Sequence, residues 1–121
     1  MRSAHSNSGT FMALSIESQE IPGGRLLRIE GQVDLASIAD LDSAITALIA
    51  ARPVRVVLDL SQMTFISSLG IGSIVNLRNA LVRHGGSVLV AAPQPMVAEA
   101  FRRVRLDDLL AVHDTLESAL A

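Results

Sequence analysis

The chain has 121 residues, a formal net charge of −2 and 50% hydrophobic residues, which suits one domain with a buried core. It has no cysteine, so disulfides, thiol catalysis and cysteine-ligated metals are excluded. All 10 residues counted as Lys+Arg are arginines, and the absence of lysine excludes a Walker A phosphate loop and Schiff-base catalysis. The acidic balance gives no general attraction to nucleic acid or to an anionic membrane.

The first residues differ in character from the rest of the chain. Residues 1–10 are polar and small and lack the apolar core of a signal peptide, so we predict a disordered tail followed by one domain over residues 11–121. The longest apolar candidate, Ile38–Ala51, is interrupted by Asp40 and Asp42 and is too short to span a membrane. We therefore predict a cytoplasmic protein without membrane insertion.

A hairpin and a helix are predicted at the start of the domain. Phe11–Ser18 alternates apolar and polar residues in part, which is typical of an edge strand. Pro22–Gly24 is a turn signal, and Arg25–Glu30 returns as a second strand. Asp34 or Ser37 then caps a first helix. The apolar stripe of that helix comprises Ile38, Leu41, Ile45, Leu48 and Ile49.

A central strand and a second helix follow. Val54–Leu60 is an apolar run with β-branched residues, which suits a strand that is covered on both faces. Ser61–Ser68 is predicted as a loop, and its last residues, Ser67 and Ser68, begin the second helix. Gly85–Gly86 ends that helix. The apolar residues available for its buried face are Ile71, Ile74, Val75, Leu81 and Val82.

The last third of the chain repeats the alternation of strand and helix. Ser87–Ala91 is predicted as a strand, and Pro95 suits the first turn of a third helix. Leu110–His113 is a short last strand. Asp114 and Glu117 have the spacing of a capping box that opens a final helix, with Asp114 as the cap. The predicted buried face of the third helix comprises Val97, Ala100, Phe101 and Val104.

These elements together predict an α/β fold. Strands that alternate with helices after an initial hairpin form a mixed, mostly parallel sheet, here of about five strands packed against about four helices. Turns at the carboxyl ends of strands carry function in such sheets.

Two adjacent hydroxyls lie at one such turn. Ser67 and Ser68 precede a helix whose N-terminus offers unpaired N–H groups, so the turn would accept a phosphate. On local chemistry alone, N-capping is the simpler interpretation of a serine here. Asp34 is likewise read locally as a helix cap, and Asp59 and Ser61 as residues that satisfy backbone groups of the loop.

The remaining polar clusters indicate no chemistry. A basic cluster near the C-terminus is interpreted as a solvated helix face, because it has no aromatic residues between its arginines. Its members are Arg102, Arg103 and Arg105. Three histidines without metal-ligand spacing are His5, His84 and His113. We therefore predict no catalytic residues, no metal and no cofactor.

Several motifs resemble those of sulfate-transporter and anti-sigma-factor-antagonist (STAS) domains. Asp59–Ile71 reads DLSQMTFISSLGI and resembles the family pattern D-x-S-x-[VM]-x-F-[IL]-D-S-[SA]-G-[LI]. Ile29–Asp34 resembles the family's G-E-[LV]-D turn, and Gly85–Val90 resembles its fourth strand. The endings Leu106–Leu110 and Leu116–Leu120 are also typical of the family. The resemblance extends over most of the chain.

The resemblance implies a phosphorylation site. The family's phosphoacceptor is the serine after the aspartate of its D-S-S-G or D-S-A-G sequence, which falls on Ser68. Ser67 replaces that aspartate and so becomes a second candidate acceptor. Asp59 and Ser61 then support the loop structurally. The partner-binding residues that the resemblance implies are Asp34, Ser67, Ser68, Leu69 and Gly70.

The function that the resemblance implies is that of an anti-sigma factor antagonist. In this interpretation the unphosphorylated protein binds an anti-sigma factor and so frees a sigma factor. The anti-sigma factor is itself a serine kinase that phosphorylates Ser68 and releases its antagonist, and a serine phosphatase resets the switch. The protein would be a non-enzymatic monomer or weak dimer without direct contact to nucleic acid. The alternative is an assembly subunit of a stressosome or of an ABC-type lipid transport system.

Overall fold

The computed structural model describes residues 14–121, so the predicted tail and the predicted strand start at Phe11 lie outside the described residues. The strands in this part of the chain are β1 (Ser15–Ile21), β2 (Gly24–Val33), β3 (Arg55–Asp59), β4 (Met63–Ile66), β5 (Ser87–Ala91) and β6 (Ala111–His113). The α-helices are α1 (Ile38–Ala51), α2 (Ser68–Arg83), α3 (Pro95–Arg103) and α4 (Leu116–Leu120), with a single 3₁₀ turn at Leu106–Asp108.

The strands form one mixed sheet in the order β1-β2-β3-β5-β6. β1 and β2 form an antiparallel hairpin, and the other pairs are parallel. The first half of β2 pairs with β3 through Arg25–Arg28, and its second half pairs with β4 through Gly31–Val33. The predicted mixed, mostly parallel sheet with an N-terminal hairpin is therefore confirmed, and it has six strands.

The hairpin turn follows directly from its two central residues. Ile21 faces Gly24 in the strand register, so Pro22 and Gly23 form the connection. Gly23 has a φ of +83°, a conformation that residues with a Cβ rarely adopt. Proline followed by such a glycine is the sequence of a type II turn. The turn signal in the sequence thus places the hairpin correctly.

The sheet buries two unequal faces. Because side chains alternate along a strand, Val56 and Leu58 face one layer of core and Val57 faces the other. The larger layer packs against α1, α2 and α3, and the smaller one packs against α4. The larger layer includes Leu27, Ile29, Leu41, Ile45, Val56, Leu58, Ile74, Leu77, Leu81, Val97 and Phe101. The smaller layer comprises Leu26, Val57, Ala91 and Ala119.

The segment predicted as a loop contains a strand. Met63–Ile66 forms β4 and pairs in parallel with the end of β2. Met63 and Ile66 are buried, whereas Thr64 and Phe65 between them are exposed. This pattern is not the alternation that identifies a half-buried strand, so the sequence gives no signal for β4.

Smaller corrections concern helix ends and burial. Val104 was expected on the buried face of α3, but the helix ends at Arg103 and Val104 is exposed. Val82 is also exposed, since it lies on the solvent side of α2. The cap of α4 is Thr115, whose hydroxyl accepts a hydrogen bond from the Ser118 N–H, and not Asp114.

Candidate functional site

The ends of β2 and β4 bring the predicted site residues together. Val33 and Ile66 are partners in the parallel ladder, and the Ser67 N–H donates to the Val33 carbonyl at 2.8 Å. The chain leaves the sheet at Asp34 on one strand and at Ser67 on the next. Two segments far apart in sequence therefore meet at the carboxyl edge of the sheet, where ligands and partners bind in folds of this kind.

The two serines differ in what their hydroxyls do. Ser67 is the N-cap of α2, and its Oγ accepts a hydrogen bond from the Gly70 N–H at 3.3 Å. Ser68 is the first residue of the helix and is exposed, while Ser67 is half-buried. Ser67 therefore provides the helix cap, and the predicted phosphoacceptor, Ser68, is the exposed residue that follows it. Leu69 follows as an exposed apolar side chain, 54% accessible to solvent.

Gly70 fixes how closely α2 approaches the sheet. It is buried, and a Cβ at this position would lie 2.7 Å from Ile66 Cγ1 and 2.7 Å from Val33 Cγ1. Distances below 3.0 Å require one of the atoms to move. The absence of a side chain at Gly70 therefore allows the first turn of α2 to pack directly on the ends of β2 and β4.

Asp34 closes the neighbouring turn through its own hydrogen bonds. Its Oδ1 accepts from the N–H groups of Ala36 and Ser37 at 3.1 and 3.2 Å. Ser37 occupies the N-cap position of α1 but makes no side-chain cap bond, and its hydroxyl donates to the Gln32 carbonyl at 2.8 Å. Asp34 therefore shapes the β2–α1 turn, and the tip of that turn exposes Leu35.

Asp59 and Ser61 organise the turn before β4. The Oδ1 of Asp59 accepts from the Ser61 N–H at 3.0 Å, and its Oδ2 forms an ion pair with Arg28 Nε at 3.1 Å. Gln94 Nε2 donates to the Ser61 carbonyl at 2.9 Å, which ties the turn to the start of α3. These contacts hold the β3–β4 connection and involve neither Ser67 nor Ser68.

The electrostatics of Asp59 follow from these contacts. Asp59 is only 4% exposed, and burial alone favours the neutral form of its carboxyl group. Hydrogen bonds from Ser61, together with the hydrogen bond and charge of Arg28, outweigh burial and hold the pKa of Asp59 below its ordinary value of 3.8. The group is therefore ionised at neutral pH and stabilises the fold in that form.

The lowered pKa of Asp59 predicts a loss of stability in acid. As the pH falls, the unfolded chain takes up the proton first, so the contribution of Asp59 declines from about pH 5 through 3.8 and further down to the folded pKa. The free energy of unfolding of Asp59→Asn should therefore depend less steeply on pH than that of the wild type, measured by urea titration. Equal slopes in the two proteins over that window would contradict the stabilising role of the ionised carboxylate.

A groove between α1 and α2 begins at Ser68. Its volume is about 560 Å³, and both helices contribute to its walls. This groove could not be predicted from the sequence, because its shape depends on how two helices pack. The only sequence signal is a pair of residues that are poor helix formers, Gly72 and Ser73, in the second turn of α2. The lining includes Ile38, Asp42, Ile45, Ser68, Gly72 and Asn76.

One polar pair crosses the base of this groove. The Ser73 hydroxyl lies 2.5 Å from Asp42 Oδ1 and 3.2 Å from the Leu69 carbonyl. Ser73 is buried, and its hydroxyl connects Asp42 of α1 to the Leu69 carbonyl in the first turn of α2. The carboxylate of Asp42 thus already has a partner within the protein.

Two further observations bear on the chemistry of the molecule. Residues 14–121 contain no group of three or more acidic or histidine side chains that could hold a metal ion. Within the same range, none of the helices is long and apolar enough to cross a membrane. The predicted contact residues at the ends of β2 and β4 are one carboxylate, Asp34, two serines, one leucine and one glycine.

Known proteins share this sequence pattern and this fold. Residues 15–119 match the STAS domain family. An anti-sigma factor antagonist from Mycobacterium paratuberculosis has a TM-score of 0.83 and 25% identity, over 89% of this chain and 92% of that chain. The phosphorylated form of the Bacillus cell fate determinant SpoIIAA has a TM-score of 0.67 and 18% identity, over 88% of this chain and 96% of that chain. The STAS domain of a SulP transporter from Vibrio cholerae has a TM-score of 0.64 and 18% identity, over 77% of this chain and 74% of that chain.

The family match and the architecture agree. The matched range begins at the first residue of β1 and ends within α4, so it includes the whole sheet and both faces of the core. The N-terminal hairpin, the parallel strands that follow it and the helix that begins after Ser67 all lie inside this range. The chain belongs to the STAS domain family.

Proposed function

We propose that this protein is an anti-sigma factor antagonist whose Ser68 is the phosphorylation switch. The unphosphorylated form binds an anti-sigma factor and frees the sigma factor that it holds. The anti-sigma factor is also the serine kinase, and phosphorylation of Ser68 ends the complex. The similar anti-sigma factor antagonist from Mycobacterium paratuberculosis supports this role. The observation that carries the proposal is the exposed Ser68 at the first position of α2.

Ser68 suits a kinase better than Ser67 does. A kinase must reach the hydroxyl oxygen and remove its proton, which requires access from solvent. Ser68 is exposed, whereas Ser67 is half-buried and its Oγ caps the helix through the Gly70 N–H. Phosphorylation of Ser67 would have to give up or rebuild this cap, while phosphorylation of Ser68 leaves it intact.

A phosphate on Ser68 would change the surface strongly. It adds about −1.5 to −2 charges at neutral pH. The stretch Leu60–Leu77 contains no charged residue, and the described lining of the adjacent groove contains no arginine that could pair with the phosphate. The new charge would therefore face the partner, and a packed contact there would have to desolvate it. Binding is expected to weaken for this reason.

The other properties of the proposal follow from this role. The protein acts by binding, so it needs neither a catalytic residue nor a cofactor, and it works in the cytoplasm with its kinase. A separate serine phosphatase restores the binding-competent form. The contact surface comprises Asp34, Ser67, Ser68, Leu69 and Gly70, with Asp59 and Ser61 as structural support. We propose a monomer or weak dimer as the working state.

The proposal is tested by phosphorylation with the kinase that the chain captures from its native cell extract. With ATP alone the protein should remain unmodified. With the kinase it should gain one phosphate, located on Ser68 by mass spectrometry. Ser68→Ala should prevent the gain, and Ser67→Asp, which keeps a good N-cap residue and has no hydroxyl to phosphorylate, is the control that should keep it. Phosphate on Ser67 in the wild type would show that the acceptor has been assigned one residue too late.

A role as an assembly subunit is the second candidate. It is favoured by the similar fold of the SulP transporter STAS domain from Vibrio cholerae. In that case the protein should co-purify with a membrane ATPase or elute as part of a large assembly. Binding to such an assembly could then be regulated without phosphorylation of Ser67 or Ser68.

A further inference from the structure

Two glycines in the first turns of α2 have different structural roles. Glycine is among the least favourable residues in a helix interior, so each one calls for a reason. For Gly70 the reason is internal, because a Cβ would collide with Ile66 and Val33. For Gly72 there is none of this kind: a Cβ there would meet no atom within 4 Å, and Gly72 is exposed. Its φ is also not positive, so the backbone does not require glycine.

The position of Gly72 indicates a reason for the open space beside it. Gly72 lies one helical turn after Ser68, and both residues line the groove between α1 and α2. No charged residue lies between Leu60 and Leu77, and the exposed Leu69 adds an apolar side chain beside Ser68. The α2 side of the groove can therefore be desolvated at little cost, and the carboxylate that lines the α1 side, Asp42, is already hydrogen-bonded to Ser73.

We propose that Gly72 is a specificity-determining contact residue, at which the serine kinase that recognises Ser68 packs directly against the backbone of α2. This inference rests on the function proposed above and adds the groove to the contact surface. The occupant is the kinase because any protein that binds Ser68 closely enough to phosphorylate it must cover the next turn of the same helix face. A side chain at position 72 would project into the space that the kinase occupies.

The test separates helix stability from recognition with a series of increasing size. Gly72→Ala and Gly72→Leu both replace glycine by a good helix former with open space around it, so neither should lower the midpoint of urea unfolding. Phosphorylation of Ser68 and the dissociation constant of the kinase complex are then measured for each variant. We expect the dissociation constant and KM to rise by about tenfold for Gly72→Ala and further for Gly72→Leu, with kcat much less affected.

Asn79→Leu is the matched control. Asn79 is exposed on the same side of α2, about two turns beyond Gly72, and it does not line the groove. This variant should bind the kinase and accept phosphate as the wild type does. If Asn79→Leu weakened kinase binding as much as Gly72→Leu does, the effect would be a general one of an added leucine, and the assignment of Gly72 would be overturned.

The outcomes distinguish this inference from the proposed function. If the wild type binds the kinase and is phosphorylated on Ser68, and Gly72→Leu behaves the same, the inference is wrong and the function stands. If Gly72→Leu loses stability together with binding, the glycine serves the fold and the inference is also wrong. If the wild type neither binds a kinase nor is phosphorylated, the proposed function fails, and the partner assigned to Gly72 fails with it.

Discussion

Phe101→Ala is expected to lower the free energy of unfolding by about 3–5 kcal/mol, the usual cost of deleting a buried aromatic side chain. Phe101 is 1% exposed and belongs to the larger core layer, where it lies between α3 and the sheet. Its removal forfeits the transfer energy of the ring and leaves a cavity that the surrounding strands and helices fill only in part. Urea titration of both proteins at neutral pH measures the difference.

Phe65→Ala provides the matched control for this measurement. It removes the same side chain from β4, where Phe65 is 40% exposed. Because much of that ring is already in water, its loss should cost clearly less than the loss of Phe101. A near-neutral Phe101→Ala, or equal losses for the two variants, would mean that α3 does not pack on the sheet as described.

Gly70→Ala is expected to have the second largest effect on stability. The new Cβ would lie 2.7 Å from carbon atoms of Ile66 and Val33, so either these buried side chains or the first turn of α2 must move. Overpacking of this kind costs roughly 1–3 kcal/mol. Both contacts belong to strand ends that carry the site, so kinase recognition of Ser68 should weaken as well.

Gly72→Ala is the control for Gly70→Ala, because it makes the same substitution two residues further along the helix. A Cβ at Gly72 meets open space, so this variant should match or exceed the wild-type stability, by up to about 1 kcal/mol, the difference in helix propensity. If Gly70→Ala proved as stable as Gly72→Ala, the close packing of α2 on β2 and β4 would be wrong.

The sequence predicts the fold well where local signals are strong. Ser87–Ala91 was predicted as a strand and is β5 with the same bounds, since an apolar run stands between a glycine pair and a proline. β4 was missed because only its first and last residues are buried. Its partner, the end of β2, lies about thirty residues earlier in the chain. Pairing between residues so far apart cannot be detected in a short window of sequence.

The candidate site, too, could be predicted from the sequence only in part. The position of Ser68 at a helix start and of Asp34 at a strand end could be predicted from motifs. The contact between their turns depends on the pairing of Val33 with Ile66, which the sequence alone does not specify. The groove depends on the packing of α1 against α2, which are linked across its base by the hydrogen bond between Asp42 and Ser73.

The central claim is that a charge at Ser68 ends binding to the anti-sigma factor. The most direct measurement is isothermal titration of that partner with three forms of the protein: unmodified, phosphorylated on Ser68, and carrying Ser67→Asp. We expect the phosphorylated form to bind at least about tenfold more weakly, a loss of about 1.4 kcal/mol or more. Ser67→Asp should bind nearly as the unmodified protein does, because it restores the residue common in the family. Equal affinity of the phosphorylated and unmodified forms would contradict the switch.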